Sequence, residues 1–276
     1  MNTTIFDRLL SAHLATSAVQ KRNAVMEVMQ QIALAGLHRG GFFDKAAFYG
    51  GTCLRVFHGL NRYSEDLDFS LTVRDDAFNI ENYFNPLVDE FAMCGRSVTI
   101  SKKAKKNFSK VESAFLKDNT EVYNLSFQTE KSFKIKIEVD TNPPMGFATE
   151  PQLLLQPYSL FVNCFTLPNL FAGKMHALIF RQWGNRIKGR DWYDFEWYVR
   201  NQVPLDFEHF CMRAKDFNGI ELNKDDFYQL LQSRLQQADM NLVKQDVMPF
   251  LHNPQETTIW TNDYFLQLAK LIRFTK

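Results

Sequence analysis

Residues 46–71 read AAFYGGTCLRVFHGLNRYSEDLDFSL, and the order of their local signals sets the reading of the whole chain. Ala46-Ala47-Phe48-Tyr49 has the composition of a short strand, and Gly50-Gly51 that of a tight turn. Thr52 to His58 then returns to helical spacing and stops at Gly59, the residue type that most readily closes a helix. Asp66 to Leu71 alternates charged and apolar side chains, as a half-buried strand does. Alternation places residues i and i+2 on one face, so Asp66 and Asp68 project together while Leu67 and Phe69 address the core.

Working outward, apolar residues before Gly40-Gly41 recur at helical spacing, among them Ile5, Leu9, Leu10, Ala18, Val25, Val28, Met29, Ile32 and Leu34, which predicts two leading helices. Residues 79–93 predict another helix. Residues 96–101, 112–116, 121–127 and 133–140 predict strands, separated by polar connectors such as Lys117-Asp118-Asn119-Thr120. Asn142-Pro143-Pro144 ends the last of these. Beyond Pro168 helical patterns dominate, at 169–183, 189–200, 207–217, 225–238 and 263–273. The expectation is an α+β chain: N-terminal helices and a mixed-sheet core over residues 1–165, then a helical part over 166–276.

The chain has 276 residues, 45% apolar and 23% charged, which is enough to bury a full core and argues against disorder. A formal net charge of +1 leaves nucleic-acid contact to a local patch and not to the summed field. The densest basic run is Lys102-Lys103-Ala104-Lys105-Lys106-Asn107-Phe108-Ser109-Lys110, which reads as a solvated hairpin loop, since no aromatic stacking series accompanies it, with an RNA-backbone contact as the alternative. Cys53, Cys94, Cys164 and Cys211 are widely spaced, with neither a zinc pattern nor a disulfide framework, which fits a reducing cytoplasm. No stretch approaches the ~20 apolar residues of a membrane span, and the N-terminus lacks the layout of a secretion signal.

Two carboxylates on one strand face repel unless a cation lies between them, and hard oxygen donors suit Mg²⁺ or Mn²⁺. Asp-x-Asp alone is commonplace. Here Gly50-Gly51-Thr52 precedes it, and glycines at the start of a helix let backbone amides and the positive end of the helix dipole approach a phosphate. The Thr52 hydroxyl adds one further donor to that expectation.

With these residues in order, the stretch resembles the signature of the AbiEii/AbiGii-type nucleotidyltransferase toxins, MenT-like members of the polymerase-beta-like superfamily. The shared features are the glycine-Thr turn, Leu54-Arg55, Arg62 before an aromatic residue, and Ser64-Glu65-Asp66-Leu67-Asp68-Phe69. A second block, Gly173-Lys174-Met175-His176-Ala177-Leu178 followed by Arg186 and Gly189-Arg190-Asp191-Trp192-Tyr193-Asp194, is similar to that family's downstream motifs. The resemblance covers roughly residues 46–71 and 170–196. It implies a polymerase-beta-like nucleotidyltransferase core, an NTP co-substrate, a divalent metal, an antitoxin partner, and an RNA acceptor such as the end of tRNA. It also implies a third carboxylate from Lys134-Ile135-Lys136-Ile137-Glu138-Val139-Asp140, with Glu138 favoured and Asp140 the alternative if the register differs. On this reading Asp66, Asp68 and Glu138 hold metal, while Gly50, Gly51, Thr52 and Ser64, with Arg55 or Arg62, grip the triphosphate. Lys174 neutralises phosphate charge and Asp191 orients Lys174 or a substrate group. Arg190 and Asp194, spaced i,i+4, are candidates for a structural pair, and His176 for packing.

Overall fold

The computed structural model describes residues 3–13, 15, 17–102, 120–129, 133–181 and 187–276. Residues 103–119 are outside this set, so most of the basic run and the strand expected over 112–116 lie outside the described residues, as does Arg186. Two helices, α1 (Ile5–Ser11) and α2 (Ala18–Arg39), lead in, each opened by a capping box, Thr4 with Asp7 and Ser17 with Gln20. The strand-turn-helix follows as β1 (Ala46–Tyr49) and α3 (Gly50–His58), with Gly59 closing α3 in the left-handed conformation. Next come β2 (Leu67–Leu71), α4 (Phe84–Met93), β3 (Val98–Lys102), β4 (Thr120–Phe127), β5 (Lys134–Asp140), β6 (Thr149–Leu154) and β7 (Leu160–Phe165). The rest is α5 (Leu167–Phe180), α6 (Gly189–Arg200), β8 (Pro204–Leu205), α7 (Phe207–Asn218), α8 (Lys224–Gln237), α9 (Met240–Val247), α10 (Asn262–Ala269) and β9 (Arg273–Phe274).

Seven strands form one mixed sheet in the order β3-β4-β5-β2-β1-β7-β6. The pairs β2–β5 and β1–β7 are parallel, and the others antiparallel. β2 is therefore central, flanked by β1 and β5. Its inward side chains Leu67 and Phe69 are fully buried, as the alternation predicts. Phe69 meets Phe42 edge-on at 4.9 Å and Phe48 at 5.2 Å, an aromatic cluster that fixes the pleat of β2 from below. α2 is buried nearly all round from Met26 to Leu37, so it serves as a core helix and not a surface one. One hydrophobic core runs through the sheet and on into α5–α10.

Four differences from the sequence expectation have physical causes. The β6–β7 hairpin lies in a stretch for which the sequence analysis predicts no element; β6 carries Pro151 at the sheet's edge, where a missing N–H costs no ladder bond. The helix expected over 79–93 begins as a 3-10 turn at Ile80–Tyr83. α9 is only eight residues long, so the helical spacing of Met240, Val243 and Val247 spans barely two turns and makes a weak pattern in sequence. The last helix ends at Ala269, because Arg273 and Phe274 leave it to pair in parallel with β8.

Candidate active site

The register places the carboxylates. Asp68 stands opposite Tyr49 on one side and opposite Glu138 on the other, while Asp140 stands opposite Ser70, one pleat further along. Asp68 and Glu138 lie close enough for their carboxyls to share a hydrogen bond. Burial, followed by the charges of Glu138 and Asp66, pushes the Asp68 carboxyl up to about 8. Asp66, one residue before the strand, is raised as well, mainly by burial and against the pull of Lys136. Lys136 forms an ion pair with Glu138. Burial works against the Lys136 charge, yet Glu138, Asp66 and Asp68 carry its ammonium above the ordinary lysine range. Asp140 accepts the Asn142 backbone N–H at 3.1 Å instead of joining Asp68.

A buried carboxylate pair held in contact, with a third carboxylate beside it, is a donor set suited to a hard divalent cation, which removes the repulsion now met by a proton and Lys136. Among the described residues no three acidic, imidazole or thiol side chains converge on one point as they stand. The fit therefore rests on the contact between Asp68 and Glu138, with Asp66 adjacent.

The glycine turn abuts this pair. Gly50 has φ +83°, and a methyl group there would lie 2.5 Å from Asp68 Oδ2. A methyl at Gly51 would lie 2.7 Å from Arg62 Nη2 and 3.1 Å from Ser64 Oγ. Tyr49 at the N-cap makes no side-chain hydrogen bond to the first amides of α3. The Thr52 hydroxyl is not a further donor there: it is buried and donates to the Asp66 carbonyl, tying the helix start to the carboxylate strand. Gln30 Nε2 donates to the Ser64 carbonyl at 2.9 Å.

The two arginines near the turn are engaged elsewhere. Arg55 pairs with Glu27 at 2.5 Å, donates to the Leu60 carbonyl at 2.8 Å and lies over the Tyr63 ring. Arg62 is buried and grips Asp194 with two bonds of 2.6 Å. Neither guanidinium is free to meet a phosphate in this arrangement. Arg62 instead backs the glycine turn.

α5 and α6 supply the opposite wall. Lys174 Nζ lies 2.9 Å from Asp191 Oδ1, the contact expected from sequence, and 2.7 Å from Asp194 Oδ2. Asp191 Oδ2 accepts from Arg181 Nη1 at 3.0 Å. Burial opposes the charge on Asp191, but Lys174, Arg181 and Lys188 hold it well below the usual carboxylate range. Asp194 is lowered likewise, by Arg62 and Lys174 against burial. The expected i,i+4 pair does not form, since Arg190 reaches Glu65 at 3.0 Å and lies over the Phe250 ring. His176 packs among Phe180, Phe210 and Phe217 with Nε2 2.8 Å from Asn218, and burial brings its imidazole down to about 3. Sequence reasoning passed over Lys136, Arg181 and Lys188. Lys188 adjoins Gly189-Arg190-Asp191, and that adjacency was the available signal.

Comparison with known proteins bears on this geometry. The family model described as "Nucleotidyl transferase AbiEii toxin, Type IV TA system" matches residues 32–267. No curated protein matches the sequence significantly. Among solved structures, MenT4, a nucleotidyltransferase toxin from Mycobacterium tuberculosis H37Rv, superposes with a TM-score of 0.60 at 13% identity, over 98% of this chain and 88% of that one. JHP933 from Helicobacter pylori gives 0.50 at 15% identity, over 93% and 91% of the two chains. A putative nucleotidyltransferase from H. pylori gives 0.48 at 17%, over 88% and 89%. At such identities the MenT4 likeness speaks for the fold, and the family match speaks for the activity. The chain therefore belongs to the AbiEii family of nucleotidyl transferase toxins of type IV toxin–antitoxin systems.

Proposed function

We propose that this nucleotidyltransferase moves NMP from an NTP to an acceptor hydroxyl on RNA, with the acceptor end of tRNA as the first substrate to test, and that it uses Mg²⁺ or Mn²⁺. The observation that carries the reading is the register of β2 on β5, which sets Asp68 against Glu138 beside the uncapped start of α3. Asp66, Asp68 and Glu138 would hold the metal, whose contribution is to polarise phosphate oxygens and neutralise charge on the entering and departing oxygens. The amides at Gly50 and Gly51 would receive the triphosphate, in the place a side chain at either residue would fill. The acceptor oxygen bonds to the α-phosphorus, the bond to the bridging oxygen breaks, and pyrophosphate leaves as the acceptor's proton passes to solvent. Thr52 and Arg62 keep the turn and the carboxylate strand in register during that exchange.

The RNA acceptor and an antitoxin partner rest on the family resemblance. Among the described residues no helix is long and apolar enough to cross a membrane, and a cytoplasmic site of action is part of the proposal. The test is incubation with Mg²⁺, each α-labelled NTP and total RNA. Label in RNA that disappears in Asp66→Asn and Asp68→Asn supports the reading. Label in protein or in a small molecule moves the acceptor to that class. Full transfer by both variants refutes the site.

A further inference from the structure

Three side chains of α6 and its approach face the segment that leads into β2, in reversed order. Asp194 meets Arg62 and Arg190 meets Glu65, and the charge of Lys188, the residue just before α6, acts on Asp66 and Asp68, where the segment continues. The first two positions are ion pairs. At the third no pair forms: Asp191 is taken by Lys174 and Arg181, Glu138 by Lys136, and among the described residues no carboxylate is in ion-pair contact with the Lys188 ammonium. Its charge nevertheless reaches Asp66, Asp68 and Asp191.

The Lys188 backbone is held rigidly. The Gly189 N–H donates to Asp246 at 2.9 Å, and a methyl at Gly189 would sit 2.0 Å from the Val243 carbonyl oxygen, so α9 presses directly on the start of α6. Burial, with Arg181 next, brings the Lys188 ammonium down to about 8. Lys188 is half-buried with no carboxylate among the described residues in contact with its ammonium, so an anion brought to it gains a charge-assisted hydrogen bond that no described group already makes. Lys174 is the opposite case, since two carboxylates already satisfy it.

Building on the nucleotidyl-transfer reading, we infer that Lys188 is the cation that meets the nucleotide's phosphates, and that Lys174 acts through Asp191 and Asp194 as a positioning residue. The phosphates bring the anionic partner that the protein withholds from Lys188, next to the carboxylates that hold the metal. Lys174 keeps the wall of α6 in place behind it.

Inorganic tripolyphosphate with Mg²⁺ is a probe that needs no knowledge of the base. Calorimetric titration should show Lys188→Met weakened about tenfold or more, the range of a lost charge-assisted hydrogen bond, with Lys188→Arg restoring most of the affinity. Thermal melting of Lys188→Met should match or exceed wild type, whereas Lys174→Met, which takes one of its two cations from each of two buried carboxylates, should melt several degrees lower. Affinity of Lys188→Met within twofold of wild type overturns the inference, as does a loss of melting temperature like that of Lys174→Met. Wild-type label transfer from NTP, run alongside, separates the two claims. Transfer with an unaffected Lys188→Met removes only the role of Lys188, and absence of both transfer and tripolyphosphate binding in wild type removes the underlying reading.

Discussion

Replacing Asp194 by Asn is the sharpest structural test of how the two walls of the site are joined. The Asp194 side chain is 0% exposed and that of Arg62 2%, with two contacts of 2.6 Å between them and a third of 2.7 Å to Lys174. Asparagine keeps the shape but removes the charge, leaving a buried guanidinium without its counter-ion and Lys174 with only Asp191. Stranding one partner of a buried pair costs about 3–5 kcal/mol. For a chain of this size that is a fall in melting temperature on the order of 10 °C. The pH dependence has a definite sign. Arg62 and Lys174 hold the folded-state pKa of Asp194 below its unfolded value, so its stabilisation is present above the ordinary carboxylate range and is lost as pH falls through the folded value. The deficit of Asp194→Asn should therefore be full at pH 7 and shrink below about pH 4. Urea unfolding followed by circular dichroism measures both. The double variant Arg62→Met/Asp194→Leu, with no charge left to strand, should recover much of the loss. A deficit under about 1 kcal/mol, or one that grows in acid, would refute the claim that this pair clamps α6 to the segment before β2.

Three further outcomes are expected. Asp68→Asn should abolish label transfer. It should also gain stability relative to wild type as pH rises from the ordinary carboxylate range to about 8, because a raised carboxyl stabilises fully below its unfolded pKa and loses that contribution progressively up to the folded one; melts at pH 5 and pH 9 should show the larger advantage at the higher value. Gly50→Ala combines a φ of +83° with a 2.5 Å approach to Asp68 Oδ2, so about 1–3 kcal/mol of stability and roughly 100-fold of transfer rate should be lost, and a variant with unchanged rate would count against the turn. Glu138→Gln should lose transfer while Asp140→Asn keeps it, and the reverse pattern in single-turnover labelling would reassign the third carboxylate.

The site was legible from sequence where it is local. The strand-turn-helix of 46–58 and the strand that carries Asp68 follow from local pattern, which needs no knowledge of the rest of the chain. The choice of Glu138 over Asp140 is a matter of strand register across many residues, which resemblance supplied and local pattern does not. Charge partners were the least legible. Arg62 and Arg55 look like phosphate ligands in a motif, yet their side chains go to Asp194 and Glu27, because the sheet and α6 bring distant carboxylates within reach. Thr52 likewise turned its hydroxyl to the Asp66 carbonyl. In the β6–β7 hairpin, Pro151 is tolerated because β6 is an edge strand, a property of the finished sheet.

The distance along the chain between the site's parts has a consequence for its synthesis. Gly50, Asp68 and Glu138 meet only after two parallel strands have found each other, and Asp191 and Asp194 arrive later still. Non-local pairing of this kind is slow and comes after local structure. A nascent or prematurely terminated chain that stops before α6 has the turn and the carboxylates but neither the clamp on Arg62 nor the cations of the far wall. The two walls of the candidate site are thus both in place only in a nearly complete molecule.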